Sequence, residues 1–108
     1  MPLKSDTQNR LKARFFYALS DPVRIEILEF IRDGEKCVCE VVPHLNLIQP
    51  VVSRHLKILK DSGLVADRKE GNKRLYSVTF PEIYKIIDDL TPELASALSK
   101  KIMERMIC

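Results

Sequence analysis

The segment from Pro50 to Gly63 constrains this chain more than any other. Val52, Leu56 and Leu59 recur at helical spacing on one side, whereas Ser53, Arg54, Lys57 and Lys60 share the opposite side. Pro50 suits the first turn of a helix, where its missing N–H would lack a partner anyway. Ser62-Gly63 closes the helix, because glycine readily takes the left-handed conformation that stops one. The result is a helix that packs one face and offers a basic one.

The neighbours of this helix give it a context. Before it, Cys37 to Leu45 reads as a shorter helix that Pro43 limits or bends, followed by a turn over Asn46 to Gln49. After it, Leu64 to Lys69 and Lys73 to Thr79 have strand character and are joined by Glu70-Gly71-Asn72, a turn that suits a hairpin. Two short helices across a tight turn, the second with a basic face, then a basic hairpin, form the order of a winged helix-turn-helix. The expected fold is mainly α with a two-stranded β-hairpin wing. A single winged-helix domain is expected over 1–108, with the helix-turn-helix at about 37–62, the wing at about 64–79 and a C-terminal helical dimerisation segment at about 81–107.

Turn signals divide the remainder. Asp6 can cap a helix reaching about Leu19, and Asp21-Pro22 can start another that ends at Asp33-Gly34, with Val23, Ile27, Leu28 and Ile31 on one face. Phe80-Pro81 opens a stripe of Ile83, Ile86, Ile87 and Leu90, and Thr91-Pro92 restarts one of Leu94, Leu98, Ile102 and Met106. The last stripe exceeds what a small core needs to cover, which predicts a homodimer built on the terminal helices.

Charge points to a polyanion. The chain carries +3 overall, yet between Arg54 and Arg74 seven Lys or Arg face three acids. The helix residues Gln49, Ser53 and Arg54 suit base edges of double-stranded DNA, Lys57 and Lys60 extend the DNA-binding face of that helix, and Arg68, Lys69, Lys73 and Arg74 at the wing suit phosphates. His55, beside Arg54, can pack at the core edge. Neither His44 nor His55 has a Ser or Asp partner of catalytic type, and no Gly-rich phosphate loop occurs, so no enzyme activity is expected. No apolar run reaches the roughly 18 residues of a membrane span, and Met1 to Arg14 is too polar for a secretory signal, which predicts a cytoplasmic protein without a membrane partner. Three cysteines in such a chain should be mostly reduced and open to metal or redox chemistry.

The stretches ALSDPVRIEIL from Ala18, EKCVCE from Glu35, QPVVSRHLKILKDSGLV from Gln49 and RKEGNKRLY from Arg68 resemble the ArsR/SmtB repressors. The likeness runs from about Phe16 to Ser77 and is to the arsenic-sensing type. It implies a homodimeric repressor that occupies an operator when its sensor site is empty and leaves when an inducer binds. It also implies that His55 contacts DNA or a phosphate, the alternative to packing at the core edge. Two departures stand out. Leu47-Ile48-Gln49-Pro50 replaces the usual Leu-Ser-Gln-Ser, removing the Ser cap and a possible DNA-contacting hydroxyl, and Pro43 falls where the family usually continues its sensing helix.

Cys37-Val38-Cys39 falls where arsenic and cadmium sensors of that family carry E-L-C-V-C-D, and the resemblance makes the two cysteines metal ligands. On a regular helix, residues two apart lie about 200° apart, so both sulfurs reach one ion only if the first turn is distorted or opens. The plain alternative is that they pack in the core. Thiolates without a nearby His favour soft ions: As(III) and Sb(III) first, Cd(II) or Pb(II) next. Arsenite wants three sulfurs, and the remaining thiol is Cys108, either an incidental terminal group or a third ligand from either protomer. Glu93, Glu104 and Asp88 lie on the C-terminal segments with no His after His55, which argues against a zinc or nickel site there. Two other readings stay open. One is a repressor whose thiols answer oxidation or sulfur species; the other, disfavoured by the lack of Cys-x-x-Cys beside a strand, is a thiol metal-trafficking protein.

Overall fold

Asp21 starts its helix as its chemistry dictates. Its carboxylate accepts from the Val23 N–H at 2.8 Å, and Pro22 fills the first turn. The computed structural model describes residues 4–107, in the order α1 (Lys4–Ala18), α2 (Pro22–Phe30), β1 (Lys36–Cys37), α3 (Val38–Leu45), α4 (Gln49–Asp61), β2 (Val65–Glu70), β3 (Lys73–Val78), α5 (Ile83–Asp88) and α6 (Pro92–Ile107). Helix α1 begins before Asp6, so Asp6 is not its cap; it pairs instead with Arg10 one turn on, at 2.9 Å.

The wing differs from the expected hairpin in one respect. Strands β2 and β3 pair antiparallel through Val65↔Val78 to Glu70↔Lys73, but β1 adds on the far side of β3, with Lys36↔Tyr76 and Cys37↔Leu75, giving a three-stranded sheet. A strand of two residues has no alternation to read, and its partner lies almost forty residues away. Its consequence is that Cys37 is fastened to the central strand of the wing.

Helices α2, α3 and α4 enclose the core. Ile27, Leu28, Val41, Val52, Leu56 and Leu59 are fully buried. Pro43 sits inside α3, which stops soon after at Asn46, a left-handed residue at φ 55° whose N–H donates to the Pro43 carbonyl. Gly63 ends α4 at φ 84°, as its lack of a side chain allows. From α5, Tyr84 reaches in and donates its hydroxyl to the Leu28 carbonyl; burial pushes its phenol pKa up to about 12. The terminal helices are the opposite case. Leu94, Leu98, Ile102 and Met106 on α6 are all exposed, and of the α5 stripe only Ile83 is buried, with Ile87 half-buried and Ile86 and Leu90 exposed.

Candidate DNA interface and thiol site

Helix α4 lays out its residues as the spacing demands. Gln49, Ser53 and Arg54 are exposed along its first two turns, while Val52 and Leu56 turn inward. His55 is the exception among the predicted contacts. It is half-buried, and Arg24 Nη1, which can only donate, lies 3.2 Å from its Nδ1. Arg24, itself buried, also donates to the Ala18 carbonyl at 2.8 Å and the Tyr17 carbonyl at 3.0 Å. One guanidinium thus ties the end of α1 to the recognition helix. His55 lies half-buried at the edge of the core.

The basic residues separate into two groups. Lys57 pairs with Asp61 at 2.9 Å, Lys60 with Asp67 at 3.0 Å, Arg74 with Asp67 at 2.7 Å, and Arg68 with Glu70 at 2.8 Å and with Glu35 through its Nε at 3.1 Å. Arg54, Lys69 and Lys73 enter no ion pair among the described residues and stand exposed. Exposed pairs such as Lys57–Asp61 contribute at most about 1 kcal/mol and yield readily to a phosphate. The Asp67 cluster is another matter, because the Asp67 side chain is only 9% exposed. Lys60 and Arg74 hold its carboxyl below the ordinary carboxylate range by hydrogen bonding to it. Asp67 therefore clasps the end of α4 to the wing.

Asp67 and Glu35 are the residues that charge counting misses. In the sequence Asp67 dilutes a basic run and Glu35 lies well before it; in the fold each fixes where a cation points. Arg68 in turn holds the Glu35 carboxyl below its ordinary range, and Glu35 stands two residues before Cys37.

Cys37 and Cys39 meet without any distortion of a helix. Cys37 is not in α3 but is its N-cap, with extended backbone at φ −76° and ψ 150°, so the 200° separation expected on a regular helix does not apply. Its Sγ accepts from the Cys39 N–H at 3.0 Å, and its own N–H donates to the Glu40 carboxylate at 3.0 Å, a reciprocal capping box. The two sulfurs are joined as a disulfide with their Cα atoms 5.0 Å apart, where free thiols were expected. Cys37 is 4% exposed and Cys39 is at the surface. Cys108 lies outside the described residues. Among the described residues no cluster of three or more His, Cys, Asp or Glu side chains could hold a metal.

One open concavity of about 610 Å³ brings these parts together. Cys37 and Cys39 line it with Gln49 and Ser53 of the recognition helix and Lys73 and Arg74 of the wing. The thiol site and the groups that suit bases and phosphates face the same space.

A basic recognition helix, a wing clasped to it and a short helix in front define a winged helix-turn-helix protein. The chain belongs to the arsR family of bacterial regulatory proteins, whose pattern residues 21–67 match. It is 45% identical over 75 residues to a probable mercury resistance operon repressor of Streptomyces lividans, covering 69% of this chain but only 60% of that one, so it spans less than two thirds of that relative. It is 41% identical over 76 residues to an arsenical resistance operon repressor of Staphylococcus aureus, covering 70% of this chain and 69% of that one. The crystal structure of Mycobacterium tuberculosis Rv0081 superposes with a TM-score of 0.73 at 33% identity, over 88% of this chain and 96% of that one.

Proposed function

We propose that the protein is a dimeric, cytoplasmic transcriptional repressor that holds double-stranded operator DNA and releases it when a thiol-binding inducer engages Cys37 and Cys39. The observation that carries this reading is the shared concavity of the two cysteines, Gln49, Ser53 and the wing cations. Arsenite or antimonite is the favoured inducer, with Cd(II) or Pb(II) next. The names of the arsenical and mercury relatives support a soft ion, and Hg(II) belongs in the comparison for that reason.

The local chemistry supplies a switch. An ion that draws the Cys37 sulfur out of line with the Cys39 N–H weakens the cap of α3. Helix α3 packs against α4, and β1 pairs with β3, so the disturbance reaches both DNA-reading elements. A switch needs the inducer to favour the released conformation over the bound one, and weakening a cap that contributes about 1 kcal/mol is one part of that difference. Binding also requires the disulfide to be reduced and both thiols deprotonated. Cys108 is the proposed third sulfur for As(III) or Sb(III).

The disulfide itself favours a second reading, in which oxidation of Cys37 and Cys39 is the signal and the reduced protein is the other state. A labelled duplex from the promoter upstream of the protein's own gene separates the two. Under the first reading the reduced protein binds it and arsenite releases it. Under the second, peroxide releases it and a dithiol restores binding.

A further inference from the structure

The large apolar side chains that the described residues expose are distributed unevenly. Those on α1, such as Leu11 and Phe16, and those from Phe80 onward, such as Leu98 and Ile102, belong to the terminal helices or the short segments beside them, where a second copy of the chain can cover them. Ile48 is the exception. It is 67% exposed and stands alone at the start of α4, far from those helices in the chain order. Its neighbour Leu47 packs against the core, and the extended backbone at Ile48, φ −79° and ψ 152°, turns the next side chain outward.

Local structure gives Ile48 no reason to be there. It is the N-cap of α4 and makes no side-chain cap bond. Its carbonyl accepts from the Val51 and Val52 N–H groups at 3.1 and 3.2 Å, as any residue's would. A Ser, Asp or Asn at this position would add about 1 kcal/mol by capping, and would not hold an isobutyl-sized apolar group in water. Beside it, Gln49, Pro50, Ser53 and Arg54 are all exposed. In a helix-turn-helix the N-terminal residues of the recognition helix meet base edges, and the apolar group that the major groove offers there is the 5-methyl of thymine.

We infer that Ile48 is a specificity-determining residue that reads a thymine methyl in the operator. The inference rests on the DNA-binding function proposed above. Next to it the Gln49 amide has the donor and acceptor that pair with adenine N7 and N6. Ile48 and Gln49 together select an A·T-containing step in each half-site, one through shape and the other through hydrogen bonds.

The test changes one methyl group at a time. The tightest duplex recovered by selection from a random pool is resynthesised with deoxyuridine replacing each thymine in turn, and binding of wild type and Ile48→Ser is compared at fixed salt. Wild type should lose roughly threefold to tenfold in affinity at one thymine per half-site, the effect of burying one methyl group. Ile48→Ser should bind the thymine and uracil duplexes equally, with the same salt slope as wild type and an unchanged or raised Tm, since Ser is a better cap. An equal loss in both proteins, or no sensitive thymine for wild type, overturns the assignment. Failure of wild type to bind any duplex in a salt-dependent way would instead overturn the function beneath it.

Discussion

The Sγ of Cys37 accepts a hydrogen bond from the backbone N–H of Cys39 at 3.0 Å, so one sulfur is both candidate inducer ligand and N-cap of α3. Cys37→Ser keeps a capping oxygen and should leave Tm unchanged or slightly raised under reducing conditions, whereas Cys37→Ala should lose about 0.5–2 kcal/mol of stability. Thermal unfolding of the two variants side by side checks this; equal stability would deny the cap any weight.

Asp67→Asn tests the clasp between recognition helix and wing. Loss of the charge frees Lys60 and Arg74 for phosphates, so the slope of log affinity against log salt should steepen by one to two units. Discrimination between operator and unrelated duplex should fall, because the wing is no longer fixed. Unfolding stability at pH 7 should drop by about 1–3 kcal/mol. Because the carboxyl sits below its ordinary value of 3.8, its stabilisation is complete above that pH and is lost as pH falls through its lower folded value. The gap between wild type and variant should therefore close in strong acid. A variant with unchanged salt slope and unchanged discrimination contradicts the clasp.

The unpaired cations divide by position. Arg54→Ala should weaken operator binding by about 1–3 kcal/mol and relax sequence preference if Arg54 meets a base, while Lys69→Ala or Lys73→Ala should weaken binding to every duplex and lower the salt slope by about one. Arg68→Ala should change the slope less, since Glu35 and Glu70 already neutralise that guanidinium. Salt titrations of anisotropy separate these outcomes. Wing variants that altered preference at constant slope would reverse the roles.

The exposed face of Leu94, Leu98, Ile102 and Met106 predicts association. Sedimentation at micromolar concentration should give twice the chain mass of 12.5 kDa, and Leu98→Glu should shift it toward the monomer and weaken operator binding. A monomer alone for wild type contradicts a dimer built on these helices.

Most of the fold was legible because its signals are local. The Asp21-Pro22 start, the Gly63 stop and the period of Val52, Leu56 and Leu59 each act within a few residues. What escaped is non-local. Strand β1 exists only because Lys36 and Cys37 find Tyr76 and Leu75, and the meeting of Cys37 with Cys39 follows from that strand ending at a helix cap. The same holds for the interface. Gln49, Ser53, Arg54, Lys69 and Lys73 stand exposed as the spacing predicts, but Lys60, Arg68 and Arg74 are partnered by Asp67 and Glu35, which no local pattern joins to them. His55 turned inward because Arg24, thirty-one residues earlier, holds it.

The central claim is that Cys37 and Cys39 gate DNA binding, and one titration meets it directly. Arsenite is added to the reduced protein bound to its labelled operator duplex, with wild type, Cys108→Ser and Cys37→Ser/Cys39→Ser in parallel. The account predicts release from wild type, weaker release from Cys108→Ser at unchanged operator affinity, and no release from the double variant, which still binds the duplex because serine keeps a capping oxygen at the start of α3. Arsenite release that survives in the double variant would contradict it and return both cysteines to a purely structural role.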